Sequence, residues 1–437
     1  DLVRSRGLGD VYKRQLIDSF MVAGLGDVKM SGVNISGQIC FIFMVMQNMI
    51  CASGGIFLTQ YFGAKQREGM RQSVAFKVVA SLSTCIFYFL ATFVFTRPVL
   101  SLMVIGNSQA ELILEEGQKY MYLMGFIGIQ MMISSILSSS YREIGRVRVI
   151  LVITLIAAGS NAFLNWVLIY GHLGMPRLEV QGAAYATIIA KTVEMLLLIG
   201  YTIKERPEFI SFSVFKRIDW ALFGRILKKG SLLIISQMMW VLSESFTAAI
   251  YNGRGNAAVV SGMAASFSIA NLFFISFDGI TTATGVLIGK SLGRNELDDA
   301  RKEKTWMLSA AIIFGCIMCL VGVVTVLLVP VVFGNLSIDA QNICRAMLLL
   351  MALFMPLWTF VNTQLAVCRA GGDTKVGFLV DGGTTAVMIP MLLILAFFTN
   401  ASPVMMYFGV KALDVGKIIV ATHEMKKERW VVNLSNA

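Results

Sequence analysis

Across 437 residues this chain is 56% hydrophobic and only 14% charged. A soluble domain carries about 25% charged residues, so a globule of this length has too little polar surface to cover itself, whereas a bilayer solvates an apolar exterior. The formal charge of +11 does not point to nucleic acid, because the basic residues fall in short clusters between apolar runs rather than on one soluble face.

In chain order, residues 1–15 are polar and basic with no apolar signal core; they read as a non-native leader and are set aside from fold reasoning. A first apolar segment then starts abruptly at Leu16 and runs to about residue 28, a shortened first helix. A membrane-crossing helix needs about 20 mostly apolar residues. Stretches free of Asp, Glu, Lys and Arg cover 30–64, 78–96, 120–141, 149–171, 255–277, 305–338 and 346–368. Weaker spans that hold ionisable residues cover 180–202, 229–251, 376–398 and 403–422, making twelve segments in all.

Orientation follows from Lys and Arg. One set of loops holds Lys65, Arg67 and Arg71, then Arg142, Arg146 and Arg148, then the basic stretch from Lys204 to Lys229. The same set continues with Lys290 to Lys304, Arg369 and Lys375, and Lys426, Lys427 and Arg429, while the alternate loops hold little beyond Arg97, Arg177 and Arg254. The basic loops and the C-terminal tail are therefore expected in the cytoplasm. The expected architecture is an all-α membrane protein of two six-helix bundles, 16–202 and 229–424, joined by a cytoplasmic linker at 203–228 and closed by a tail at 425–437.

The halves repeat. A shift of 230 lays Gly55-Ile56-Phe57, Gly63 and Arg71 on Gly285-Val286-Leu287, Gly293 and Arg301, and Asn48 on Asp278. A shift of 227 lays Arg142 to Val149 on Arg369 to Val376. Each half has an even number of spans, so the halves face the same way about an axis along the membrane normal. The Gly63, Gly293 and Arg-x-x-Gly loops are expected to be tight turns at helix ends.

Two patterns are set aside. The pair Cys316-x-x-Cys319 stands in an uncharged helix with no second pair and no nearby His, so it reads as structural, and the seven cysteines indicate no disulfide framework. Gly285 to Ser291 resembles a phosphate-binding loop but lacks one spacer residue and follows a membrane helix, so energy is expected from an ion gradient rather than ATP.

The stretch Asp18 to Gly26 (DSFMVAGLG) resembles the first-helix motif of multidrug and toxic compound extrusion (MATE) transporters. Gly63-Ala64-Lys65 and Arg369 to Lys375 (RAGGDTK) resemble loops of that family; Asn161 to Gly171 with Val180 to Thr187 resembles its helices five and six, and Trp430 suits its tail. The resemblance spans roughly 16–435. It implies secondary antiport: export of organic, often cationic, compounds across the cytoplasmic membrane in exchange for H⁺ or Na⁺.

Ionisable groups inside a span cost about 2.5–3.5 kcal/mol at the helix centre and mark function by default. Asp18 can bind Na⁺ or take up a proton, which is the chemistry coupling needs. The resemblance implies a cation site joining Asp18 to Asn161, Asn165 and Thr187. Asn165 stands where relatives carry a carboxylate, which leans toward protons. Asn161 and Asn165, four apart, share one helix face and would otherwise serve interhelical hydrogen bonding.

Glu244, Asp278 and Asp381 are candidates for holding a cationic substrate, with Trp240 and Phe246 as stacking groups. Glu244 could instead bind a second coupling ion or pair with a neighbouring helix, and Asp278 and Asp381 could instead bond a backbone group near a Gly-rich kink. Lys191 and Glu194 are expected to pair, and most of the 26 methionines to be lipid-facing filler. The expected partners are small organic cations and the bilayer, with no cofactor beyond the coupling ion, in a monomer that is not an enzyme. Two other readings exist. A lipid or lipid-linked oligosaccharide flippase would favour a cationic cleft; an intramembrane enzyme would need paired carboxylates or a His-rich metal set, and only His172 and His423 are present.

Overall fold

The structure, a computed structural model, describes residues 27–101, 110–254, 257–334, 336–399 and 402–435. The first half of the chain forms α1 (Asp27–Gly63), α2 (Arg67–Phe89), α3 (Thr96–Ser101), α4 (Ala110–Met124), α5 (Ile127–Glu143), α6 (Val147–Tyr170) and α7 (Glu179–Glu205). The second half forms α8 (Trp220–Arg254), α9 (Ala257–Gly293), α10 (Leu297–Val332), α11 (Ile338–Ala370), α12 (Lys375–Phe398), α13 (Pro403–Ala412) and α14 (Asp414–Lys426). No strand occurs among the described residues. The leader and the first expected segment lie outside them, apart from Asp27 and Val28, which open α1.

Eight described helices are long and apolar enough to cross a membrane, and α4 and α5, bent by 51° at the break between them, meet the same length and composition test as a pair. The bend has a local cause. A π-helical turn over Leu90–Val94 carries the Phe93 ring into the place a Cβ on Gly125 would fill, 2.5 Å from its Cζ. The helices outrun the apolar stretches at their basic ends. α8 takes in Arg225, Lys228 and Lys229 and α10 begins at Leu297, so the expected linker narrows to 206–219 with one 3₁₀ turn, Phe212–Lys216. Charge marks where a helix leaves the apolar layer; it does not end the helix.

The repeat holds at the level of individual backbone bonds. After α1, Lys65 adopts a left-handed φ of 56°, and its counterpart Asn295 after α9 has 64°. The amide of Gln66 donates to Tyr61 O at 2.9 Å, and that of Glu296 to Ser291 O at 2.9 Å. After α5 and α11 the left-handed residues are Gly145 (φ 87°) and Gly372 (φ 76°), the tight turns expected there. A third pair, Arg206 (φ 47°) and Glu428 (φ 53°), ends α7 and follows α14.

The described chain divides into two compact units, residues up to Leu58 with Arg67–Ile226, and Thr59–Gln66 with Leu227 onward. The first is built on Phe43 stacked on Tyr88 (4.3 Å), with Met121, Met124 and Met131 buried around them. The second buries Met347, Met351, Met355, Met388 and Met406. These methionines fill irregular gaps between helices rather than facing lipid, as the sequence alone had implied.

Gly63 and Gly293 differ from expectation in an informative way. Neither occupies the left-handed position; both end a helix. A Cβ on Gly63 would lie 2.3 Å from Lys290 O, and one on Gly293 would lie 2.0 Å from Gln60 O. Positions 60 and 290 are themselves counterparts, so the ends of α1 and α9 meet reciprocally, backbone on backbone. A side chain on either residue would force them apart. Gly293→Ala is expected to destabilise by about 1–3 kcal/mol through overpacking, whereas Gly285→Ala on the same helix, with nothing within 4 Å, should be neutral or stabilising by up to about 1 kcal/mol. Thermal unfolding of purified protein in detergent separates the two.

Candidate functional site

In the first unit, α6 presents Asn161 and Asn165 one turn apart, 2% and 0% exposed. The Asn161 amide donates to Thr187 Oγ1 on α7 at 3.5 Å, and Thr187 donates to Ala183 O at 3.0 Å. Three of the four expected coupling residues thus lie on two adjoining helices and offer amide and hydroxyl oxygens. The fourth, Asp18, lies outside the described residues. Neutral oxygens alone bind a cation weakly against water, so the chemistry of this cluster turns on whether a carboxylate joins it.

The second unit holds a chain of charges. Glu244 on α8 meets Lys411 Nζ on α13 at 2.7 Å. That ammonium also sits over the rings of Tyr407 (5.5 Å) and Trp358 (5.9 Å). The Trp358 indole donates to Asp414 Oδ2 at 2.8 Å, and Asp414 pairs with Lys417 at 3.1 Å. Lys417 lies 3.9 Å from Asp381 on α12, which accepts from Ser236 Oγ on α8 at 2.8 Å. Glu244 and Asp381, named separately from the sequence, therefore belong to one network. Its three carboxylates (Glu244, Asp381, Asp414) face two lysines (Lys411, Lys417), leaving one negative charge in excess.

Sequence reasoning missed both lysines. They stand in the weak span 403–422, where Lys411, Asp414 and Lys417 recur every three residues and mark one helix face. That spacing was the available signal. Trp240 is one turn before Glu244 on α8 and shares its face; Phe246, two positions after Glu244, falls on another. Both are well exposed, 40% and 38%. Asp278 lies within α9, but its side chain is outside the described residues.

A second ion pair also escaped the sequence. Lys77 on α2 is fully buried, and its ammonium donates to Ser139 Oγ (3.0 Å), Ser140 Oγ (3.1 Å) and Glu143 Oε2 (2.6 Å) on α5. All three donors are used. Gly54 and Gly55 of α1 make the room: a Cβ on the first would lie 2.7 Å from Lys77 Cγ, and on the second 2.1 Å from Glu143 Oε1. The repeat counterparts of Lys77, Ser139, Ser140 and Glu143 are Met307, Ala366, Val367 and Ala370, so the other half does without the pair. Lys191 and Glu194 pair at 2.9 Å, as their spacing implies. No group of three or more His, Cys, Asp or Glu that could hold a metal occurs among the described residues.

The family model MatE matches the chain twice, over residues 11–167 and 233–400, one copy in each half of the repeat. A relative in Halalkalibacterium halodurans, "Probable multidrug resistance protein NorM", is 24% identical over 380 residues, covering 85% of this chain and 80% of its own. A Rhizobium meliloti relative of the same description is 24% identical over 308 residues, 69% of this chain and 63% of its own. Among solved structures, an outward-facing multidrug resistance MATE family transporter of the MOP superfamily superimposes with a TM-score of 0.84 at 17% identity, covering 98% of this chain and 95% of its own. The Vibrio cholerae MATE transporter VcmN gives 0.82 at 16% identity, covering 97% and 95%.

The repeat supplies its own control for the buried pair. Lys77→Ala leaves Glu143 without its cation and is expected to cost about 3–5 kcal/mol, whereas Lys77→Met with Glu143→Ala, the residues the other half uses, should be neutral or stabilising by about 1–4 kcal/mol. Comparing unfolding midpoints of the single and double variants tests this.

Proposed function

The chain belongs to the MatE family, and from that premise we propose that it exports organic cations across the cytoplasmic membrane in exchange for H⁺ or Na⁺ by alternating access. Within the family, what remains to be assigned is the substrate and the ion. The observation that carries the reading is the Glu244–Lys411 pair inside a network with one negative charge in excess. A carboxylate already held by a lysine does not need an incoming ligand for neutrality. A cation that takes Glu244 must displace Lys411, whose ammonium then seeks another carboxylate along the same chain. Competition of this kind gives a ligand different affinities for two arrangements of the bundle, which is what lets it bias a conformational equilibrium.

In this reading Glu244 and Asp381 receive the positive charge of the substrate, with Trp240 on Glu244's face stacking on its apolar part and Asp278 and Phe246 as further contacts. Asp18 takes the coupling ion beside Asn161, Asn165 and Thr187. The amide at 165, in place of a second carboxylate, favours protons, because neutral oxygens around one carboxylate make a poor Na⁺ cage but still stabilise its neutral form by hydrogen bonding. The basic loops and the C-terminal tail face the cytoplasm, and the protein works as a monomer. The excess charge of the Glu244–Lys411 and Asp414–Lys417–Asp381 network is negative, the opposite of the cationic cleft expected of a lipid-linked oligosaccharide flippase.

Ethidium efflux from vesicles under separately imposed pH and Na⁺ gradients tests the proposal. The full-length protein should be driven by one gradient alone, and Asp18→Asn should abolish that drive. Glu244→Gln should raise the concentration of ethidium needed for half-maximal efflux by roughly tenfold, the loss of one charge-assisted contact. Gradient-driven efflux that survives Asp18→Asn would remove the coupling assignment, and an unchanged ethidium requirement in Glu244→Gln would remove the substrate assignment.

A further inference from the structure

Beyond α14 the chain turns back on itself. Glu428 adopts a left-handed φ of 53°, and its carboxylate takes a two-pronged contact from Arg301, with Nη2 at 2.9 Å and Nε at 3.2 Å. Trp430 follows, fully buried among Leu365, Cys368, Val376 and Ala421 and donating its indole N–H to Met425 O at 3.2 Å. Its carbonyl occupies the space of the missing Gly371 side chain, where a Cβ would lie 1.6 Å away. The tail therefore lies flat against the turn that ends α11.

What it reaches next is the end of α1. Leu434 N donates to Gln60 Oε1 at 2.5 Å, and Gln60 Nε2 donates to Ala370 O at 2.8 Å. Asn433 Nδ2 adds a longer contact to Gly293 O at 3.4 Å. Gln60 is fully buried, and the two ends of its amide go to two different segments, the tail and α11. All these groups lie in the same compact unit, which α1 enters only with Thr59–Gln66.

The first half ends in a similar way. After the left-handed Arg206, Glu208 pairs with Arg67 at 2.7 Å and its carbonyl accepts from Arg71, the counterpart of Arg301. Phe209 is buried edge-on against Tyr141 (5.3 Å), as Trp430 is buried beside Cys368. The counterpart of Gln60 is Lys290, which lies over the Phe62 ring (4.9 Å); the first half uses Gln72 on α2, whose amide donates to Arg217 O at 2.8 Å and accepts from Asp219 N at 3.1 Å. Both halves thus plug their basic-loop end with an aromatic residue and fasten the chain beyond it through a buried amide, Gln72 in the first and Gln60 in the second.

A buried amide bonded at both ends is an all-or-none contact. Breaking one bond leaves a desolvated group unsatisfied, so the arrangement is either complete or opened to water. We propose that the segment Glu428–Leu434 is a latch: Gln60 captures its main chain to hold the end of α1, and transport releases this capture each time the protein opens toward the cytoplasm. The inference rests on the alternating-access reading above and adds to it a named part that must move.

The test uses full-length protein in proteoliposomes, with the native cysteines replaced and Gln60→Cys and Leu434→Cys introduced together. Oxidation, or a short bismaleimide where no disulfide forms, ties the latch shut. Ethidium binding should persist, ethidium efflux should fall roughly tenfold or more, and reduction of the disulfide should restore it, as expected when a conformational step is blocked. Efflux by the tied protein at the untied rate overturns the latch. A second arm keeps Cys368 as the only cysteine, behind an intact tail, and follows its alkylation by a membrane-impermeant maleimide applied from the tail side. Turnover should speed labelling roughly fivefold or more by populating the released state; labelling indifferent to turnover overturns the proposal. Failure of the untied protein to move ethidium under either gradient strikes the transport reading instead, and labelling measured with and without ethidium then decides the latch on its own.

Discussion

A charge placed between apolar helices must find its partner within the chain, because neither lipid nor packed side chains can replace the water it has lost. That constraint organises the whole molecule. It explains why Lys77 reaches two serines and Glu143 at once, why Gly54 and Gly55 are stripped of side chains beside them, and why Glu244 is met by a lysine from a helix far along the sequence. The cost of burial is offset only where geometry and hydrogen bonding are complete.

The two inner charge networks meet the constraint differently. Lys77–Glu143 is balanced and saturated, one cation against one anion with every ammonium proton placed. The Glu244–Lys411 and Asp414–Lys417–Asp381 network is unbalanced, spread over α8, α11, α12, α13 and α14, and includes a loose 3.9 Å contact. A saturated pair has little to gain by changing. An unbalanced network can exchange partners at small cost, and that is the property a site needs if ion and substrate occupancy are to alter conformation.

Duplication shows which features are architectural. The left-handed turns at Lys65 and Asn295 and at Gly145 and Gly372 recur with their hydrogen bonds, left-handed residues also follow α7 and α14 at Arg206 and Glu428, and the approach of Gly63 and Gly293 is reciprocal. Where the halves diverge, they do so in single side chains on that shared frame: Lys77 against Met307, Glu143 against Ala370, Gln60 against Lys290. The first two divergences set a buried ion pair against apolar side chains and the third sets a neutral amide against a cation, which makes two copies of one backbone electrostatically unequal.

Much was legible before any fold was known. Uncharged runs marked membrane helices, and two blocks at nearly one period disclosed the repeat. These are local or periodic properties, set by what each stretch of chain can tolerate against lipid. Helix ends were not legible, since α8 and α10 run on through charged residues that the apolar criterion excludes. Partners were not legible either. Glu244 and Lys411 stand 167 residues apart and Gln60 and Leu434 stand 374 apart, and nothing in their neighbourhoods names the other. The sequence alone determined that ionisable groups sit inside apolar spans; only tertiary structure decided which of them neutralise one another, because pairing depends on which helices adjoin and at what depth, and those follow from packing across the whole chain.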